Sequence, residues 1–399
     1  MPDFPKIVSV DDHVIEPPNL WQDRLPARFK AEGPRVERHA CTHMGYVGGR
    51  FSFELGDDGT PCDWWRFEKL MIPRTRVESA IGYDRADVTV SPTTYDEMRP
   101  GCYDPAARLV DMDEAHIEAQ LCFPSTFPRF CGQTFTEAAD KELGLACIHA
   151  YNDWMVEEWC GDSGGRLVPM IIIPLWDAEL AAREVHRNAD RGVRAVTFSE
   201  IPAHLGLPSI HTDFWDPFFQ ACDERGVSLH VHIGSSSRMP STSADAPPLV
   251  ASSLTFGNAM ASVVDFLMSG VLVRFPNLQI AYSEGQIGWI PAVLERADKV
   301  WESNRAWGGV AETIPLPPST YFHRQMYGCF FDDDHGLTPD SLAAIGTDRL
   351  LFETDYPHSD STWPHCREVA EKQMAHLDDE TVHALVRGNA IRLLGLDLD

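Results

Sequence analysis

The chain has 399 residues and is 44% apolar, enough to bury a large core and too apolar for intrinsic disorder. Its formal net charge of −27 excludes nucleic acid and anionic membrane as partners held by bulk electrostatics. The 10 cysteines are scattered without a Cys-x-x-Cys pair, the start Met1-Pro2-Asp3-Phe4-Pro5 lacks a basic and apolar leader, and no apolar run looks long enough to span a bilayer. A cytoplasmic protein with reduced thiols is expected.

Residues 6–10 read as a strand that stops on Asp11-Asp12-His13. A long irregular stretch follows, about 16–105, expected to be an insertion or lid within a single domain 1–399. It contains an expected hairpin around Arg50–Leu55 and Gly56-Asp57-Asp58-Gly59, and an aromatic-basic patch, Trp64-Trp65-Arg66-Phe67. Asp104 then caps a predicted helix over 104–115, with Pro105 in its first turn. From there strands and helices alternate. Strands are predicted at 119–125, 166–174, 193–200, 227–234, 278–285, 325–331 and 349–354. Helices are predicted at 136–160, 177–191, 214–224, 253–269, 287–301, 339–345 and 378–396.

Eight apolar strands alternating with helices are the pattern of an α/β fold, specifically a (β/α)8 TIM barrel with a long insertion after its first strand. Such barrels carry their chemistry at the C-terminal strand ends. The polar residues there are Asp11 and His13 on strand one, Glu200 on four, His232 on five, Glu284 on six and Asp355 on eight. His230 and His232 point to the same face by period two, and His232 lies nearer the strand end. A single strand-end carboxylate is more often a cap or ion-pair partner than a ligand. Four in one mouth with few Lys or Arg residues need a cation, and one or two divalent ions supply it most economically. Arg238, after strand five, and His358, after Asp355, are candidates for substrate binding.

The sequence resembles the amidohydrolase superfamily, in its amidohydrolase-2 branch with the aminocarboxymuconate-semialdehyde decarboxylase-like enzymes. The resemblance rests on Val10-Asp11-Asp12-His13-Val14-Ile15-Glu16-Pro17, Leu229-His230-Val231-His232-Ile233-Gly234, Arg274-Phe275-Pro276-Asn277-Leu278, Glu284-Gly285-Gln286-Ile287-Gly288-Trp289, Thr354-Asp355-Tyr356-Pro357-His358 and Gly388-Asn389-Ala390-Ile391-Arg392-Leu393. It implies a metal-dependent enzyme with Asp355 as ligand and proton acceptor, and with ligands from His13 and His232. Two positions depart from the family: Asp11 stands where a histidine is common, and Glu284 stands where strand six usually gives one. The resemblance also leaves a homodimer open.

Two functions follow. The first is hydrolysis of a carbonyl-containing small molecule, or decarboxylation of an aromatic or enolic acid, at a site holding zinc, manganese or iron. The second is a di-iron monooxygenase acting on a bulky apolar acid or its thioester, drawn from the inventory of two histidines and four carboxylates. The second requires Glu200 and Glu284 to face the same metals.

Overall fold

Strand β1, Ile7–Val14, is buried along its whole length, and that burial includes Asp11, Asp12 and His13. The structure, a computed structural model, describes residues 4–398. After β1 come four antiparallel strands, β2 (Arg35–Val47), β3 (Arg50–Gly56), β4 (Thr60–Phe67) and β5 (Leu70–Pro73), in the order β3-β2-β4-β5. The hairpin turn lies at Gly48-Gly49, both at positive φ (59° and 73°), and joins β2 to β3. The expected turn at Gly56–Gly59 instead carries the chain past β2 to its other edge, where β4 pairs. The aromatic-basic patch lies on β4. Trp64, Trp65 and Phe67 turn inward, with Trp65 stacked on Phe127 at 4.8 Å, while Arg66 faces out.

The remaining strands are parallel: β6 (Ile117–Pro124), β7 (Leu167–Val168), β8 (Met170–Ile171), β9 (Ala195–Phe198), β10 (Ser228–His232), β11 (Ile280–Ser283), β12 (Met326–Phe330) and β13 (Leu350–Phe352). They form one sheet β1-β6-β7 and another β8-β9-β10-β11-β12-β13. The fold is α/β, but the closed eight-stranded barrel expected from the sequence is not formed as a continuous ladder. Two local features account for this. Pro169 separates β7 from β8 and offers no N–H to either neighbour. Between β13 and β1 the chain turns left-handed at Asp355 (φ 52°), leaving isolated backbone bonds from Asp355 N–H to the Asp11 carbonyl (2.9 Å) and from His13 N–H to the Tyr356 carbonyl (2.5 Å).

Both faces of these strands are buried, as parallel strands require. Val8, Val10, Leu121, Phe123, Met170, Ala195, Ala281, Tyr327 and Leu351 meet in one apolar cluster. The alternate residues, among them Val196, Phe198, Leu229, Val231, Ile280, Phe330 and Phe352, join a larger cluster with the helices. The helix predicted from 136 begins at Lys141, because the Asp140 side chain accepts from the N–H groups of Glu142 and Leu143. It becomes a π-helical turn at Met155–Trp159. One helical stretch, Pro248–Ser269, is long and apolar enough by composition to cross a membrane (mean hydropathy 1.3), contrary to the expectation of no such run. Ala259, Val263, Phe266 and Leu267 bury part of it.

Candidate metal centre

β1 ends by delivering Asp11 and His13, two residues apart and on one face. The last residue of β10 is His232, Glu284 follows β11, and Asp355 follows β13. The structure brings these five side chains together. His13 Nε2 lies 3.6 Å from Asp11 Oδ1 and 3.4 Å from Asp355 Oδ1. His232 Nε2 lies 3.2 Å from His13 Nε2, 3.5 Å from Asp11 Oδ2 and 3.7 Å from Glu284 Oε2. Asp11, His13, His232 and Glu284 each offer a ligand atom within 4.8 Å of the others, and so do His13, Glu284, Asp355 and His358. Glu284 and Asp355 both adopt left-handed backbone (φ 52°), an unfavourable conformation for residues with a Cβ, retained here at the cluster.

Among the described residues, no Lys or Arg pairs with the acids of this cluster. Burial, with Glu353, Glu284 and Asp355 adding to it, raises Asp11 well above the usual carboxylate range. Burial and Asp355 raise Glu284. Among the described residues, the ion-pair partners of Asp11, Glu284 and Asp355 are all histidines. Burial in turn lowers His13 and pulls His232 down to about 3, so both imidazoles are neutral at pH 7. His232 Nδ1 lies 2.5 Å from the Ile233 carbonyl, which fixes the proton there and leaves Nε2 as a lone pair facing the cluster. Both Asp11 oxygens are buried without a hydrogen-bond donor. Inward lone pairs from two imidazoles and unpartnered carboxylate oxygens suit a divalent cation.

The other predicted residues lie elsewhere or act differently. Glu200 is not in the cluster. Its Oε1 accepts from Gly234 N (3.1 Å), Ser236 N (3.3 Å), Ser236 Oγ (2.6 Å) and Asn258 Nδ2 (3.0 Å). These donors turn the carboxylate toward the loop after β10. The six-residue set behind the di-iron alternative is therefore not assembled. His230 sits one layer below His232, with Nε2 3.0 Å from Ser228 Oγ. Arg238 is exposed and meets none of the cluster residues through a described ion pair. His358 does join the cluster. Its Nδ1 is 2.9 Å from Asp355 Oδ1, and its ring stacks on His13 at 3.7 Å. Burial lowers its proton affinity, but Asp355 and Glu284 outweigh burial and raise His358 to about 10.

Two residues beside the site were not singled out from the sequence. Glu353 is fully buried, both its oxygens lie 3.2 Å from Glu284 N–H, and burial raises it well above the usual range. It directly follows the last residue of β13, two residues before Asp355. Phe130 lies flat on His232 at 4.0 Å and edge-on to His13 at 5.8 Å. It sits in a connecting segment with no periodicity to flag it.

The amidohydrolase family model matches residues 62–396. A gamma-resorcylate decarboxylase of Rhizobium sp. (strain MTP-10005) is 24% identical over 282 residues, covering 65% of this chain and 79% of that relative. An amidohydrolase structure from Mycobacterium avium subsp. paratuberculosis K-10 superposes with a TM-score of 0.71 at 21% identity, covering 98% of this chain and 99% of that one. A dihydroxybenzoic acid decarboxylase from Polaromonas sp. JS666, solved with manganese and 2-nitroresorcinol, superposes with a TM-score of 0.63 at 17% identity, covering 99% and 98%. With the family model spanning most of its length, the chain belongs to the amidohydrolase family, as an enzyme of hydrolase or carboxy-lyase type.

Proposed function

We propose that this enzyme is a metal-dependent carboxy-lyase that decarboxylates a hydroxylated aromatic or enolic acid. The observation that carries the reading is the cluster of inward imidazoles and carboxylates with no Lys or Arg partner among the described residues. The decarboxylases among its relatives support the substrate class, and the manganese in one of them supports the ion. In this reading the parallel strands serve as one barrel and the site occupies its mouth. The segment after β5 covers it as a lid, donating Ala80 N–H to the Pro357 carbonyl and accepting Ser359 N–H at Val77.

Asp11, His13, His232 and Glu284, whose ligand atoms lie within 4.8 Å of one another, would hold the ion, with Asp355 beside them at 3.4 Å from His13 Nε2. A bound divalent ion supplies the positive charge that fixes and polarises the oxygens of an acidic substrate. The remaining chemistry falls to the chain. His358, its Nδ1 2.9 Å from Asp355 Oδ1, carries the proton for the reaction. That proton goes to the ring carbon as the carbon–carboxylate bond breaks and its electron pair returns to the ring, so the acid yields the parent phenol or enol and CO2. Phe130 and Phe123 form an apolar wall against His232 that limits water around the reacting carbon.

The test is CO2 release from a panel of hydroxybenzoates, dihydroxybenzoates included, by protein loaded with manganese or zinc. The expected outcome is turnover of at least one acid with equimolar phenol and CO2, lost on chelation. Hydrolysis of lactones, amides or esters without CO2 release from any acid would replace this reading with the hydrolytic one.

A further inference from the structure

Glu200 resembles a metal ligand in sequence, yet four donors on one of its oxygens belong to or brace the turn after β10. Its backbone N–H donates to Ser235 Oγ at 2.8 Å. Ser235 is the hub of this region. Its carbonyl accepts from Ser199 Oγ (3.1 Å), Gln133 Nε2 (2.9 Å) and Cys131 Sγ (3.7 Å). The 131–133 segment so held directly follows Phe130, whose own carbonyl accepts from Thr197 Oγ1 at 2.8 Å. Gly234 sits under that ring at φ 81°, and a Cβ there would meet Phe130 Cε2 at 3.1 Å. The same turn presents the Ile233 carbonyl that receives the His232 Nδ1 proton.

We propose that Glu200 is a positioning residue for the metal centre: its carboxylate clamps the 233–236 turn, which orients His232 and holds Phe130 over it. The proposal rests on His232 being one of the groups that hold the ion. The path is continuous: Glu200 fixes Gly234 and Ser236, their turn fixes Ile233 and Ser235, and these fix the imidazole plane from its Nδ1 side and from its face. A group that sets the tautomer and ring orientation of a ligand tunes metal affinity without touching the metal.

The experiment measures zinc affinity by competition with a chromophoric chelator, alongside the thermal midpoint, in Glu200→Gln, Glu200→Leu and His232→Ala. Glutamine keeps the accepting oxygen, so Glu200→Gln is expected to bind zinc within about threefold of the native protein. Leucine removes it, and Glu200→Leu is expected to bind about 10–100-fold more weakly. His232→Ala is expected to bind more weakly still. If Glu200→Leu does not fold, Ser236→Ala and Asn258→Ala each remove one arm of the clamp. A weakening of zinc binding in either supports the proposal, and native affinity in both overturns it. Native affinity in a folded Glu200→Leu, with His232→Ala impaired, overturns the clamp alone. Loss in Glu200→Gln as deep as in His232→Ala overturns it in favour of Glu200 as a ligand. Native affinity in His232→Ala overturns the assignment of His232, and the clamp with it.

Discussion

Two buried charge clusters in this protein solve the same problem differently. Under the segment after β5, Arg74 is fully buried with Glu16 and Glu78. Its guanidinium lies 3.3 Å from Glu78 Oε1 and donates to Ser125 Oγ and Thr126 Oγ1, each at 3.0 Å. Glu16 accepts from Ser125 N–H (2.9 Å) and Ser125 Oγ (2.5 Å), and Glu78 accepts from Thr75 N–H (2.9 Å). Every acid there has donors and a permanent cation nearby. At the strand ends, among the described residues, Asp11, Glu284 and Asp355 have only histidines as ion-pair partners, and Asp11 has no hydrogen-bond donor. The first cluster is complete as folded and fastens one part of the chain to another. The second sets one imidazolium, His358, against three carboxyl groups, a surplus of acids that a divalent ion would compensate.

The contrast is broken most directly by removing an acid from each cluster. Asp11→Asn is expected to lower turnover by about 10³-fold or more, the loss of several kcal/mol of metal-derived stabilisation, while the fold persists. Metal content by elemental analysis should fall in parallel with rate. Retention of both would place the metal elsewhere. In the other cluster, Arg74→Met leaves Glu16 and Glu78 without their cation. A cost of about 3–5 kcal/mol is expected in urea unfolding, with metal content unchanged. A stability change below about 1 kcal/mol would show that the Ser and Thr donors alone suffice.

Metal itself sharpens the difference. Free metal at about 100 times its Kd should stabilise the native protein by about 2.7 kcal/mol, and should stabilise Arg74→Met equally. Asp11→Asn should gain little. Equal gains in all three would mean that the ion binds outside the strand-end cluster.

These clusters also mark what the sequence could and could not convey. Asp11, His13, His232, Glu284 and Asp355 each end an apolar strand run, so the topology that stacks parallel strands must gather them. Glu200 ends a run in the same way. Its direction is decided by Gly234, Ser236 and Asn258, residues 34 to 58 positions away. No pattern local to 195–200 contains that information. Glu353 was hidden by its apolar neighbours Leu350, Leu351 and Phe352, and the left-handed turn at Asp355 removes any strand alternation that could have tied the two acids together. The closed ring of strands failed at two places: at Pro169, whose missing N–H inside 166–174 was a legible strand breaker, and at the left-handed turn of Asp355, which nothing local announces. The antiparallel sheet was misassigned at its hairpin because Gly48-Gly49 and Gly56–Gly59 are both good turns, and only the pairing of β2 on both edges separates them.

The smallest effect separates the clusters by pH. Burial pushes Glu16 up to about 7 from an ordinary value of 4.5, with the Ser125 bonds and Arg74 pulling the other way. A carboxyl raised on folding binds its proton more tightly in the native state. Its contribution is therefore full below about pH 4.5 and is lost as pH rises through about 7. Glu16→Gln removes that titration and keeps an accepting oxygen for the Ser125 N–H. Relative to the native protein, the variant should gain about 2 kcal/mol between pH 5 and pH 8, whatever its offset at pH 5. Urea unfolding at the two pH values reads the difference. Parallel pH profiles would mean that Arg74 holds Glu16 ionised throughout. The first cluster would then be compensated by full charge pairing, and the strand-end cluster would be the only one of the two that buries carboxylates at a cost.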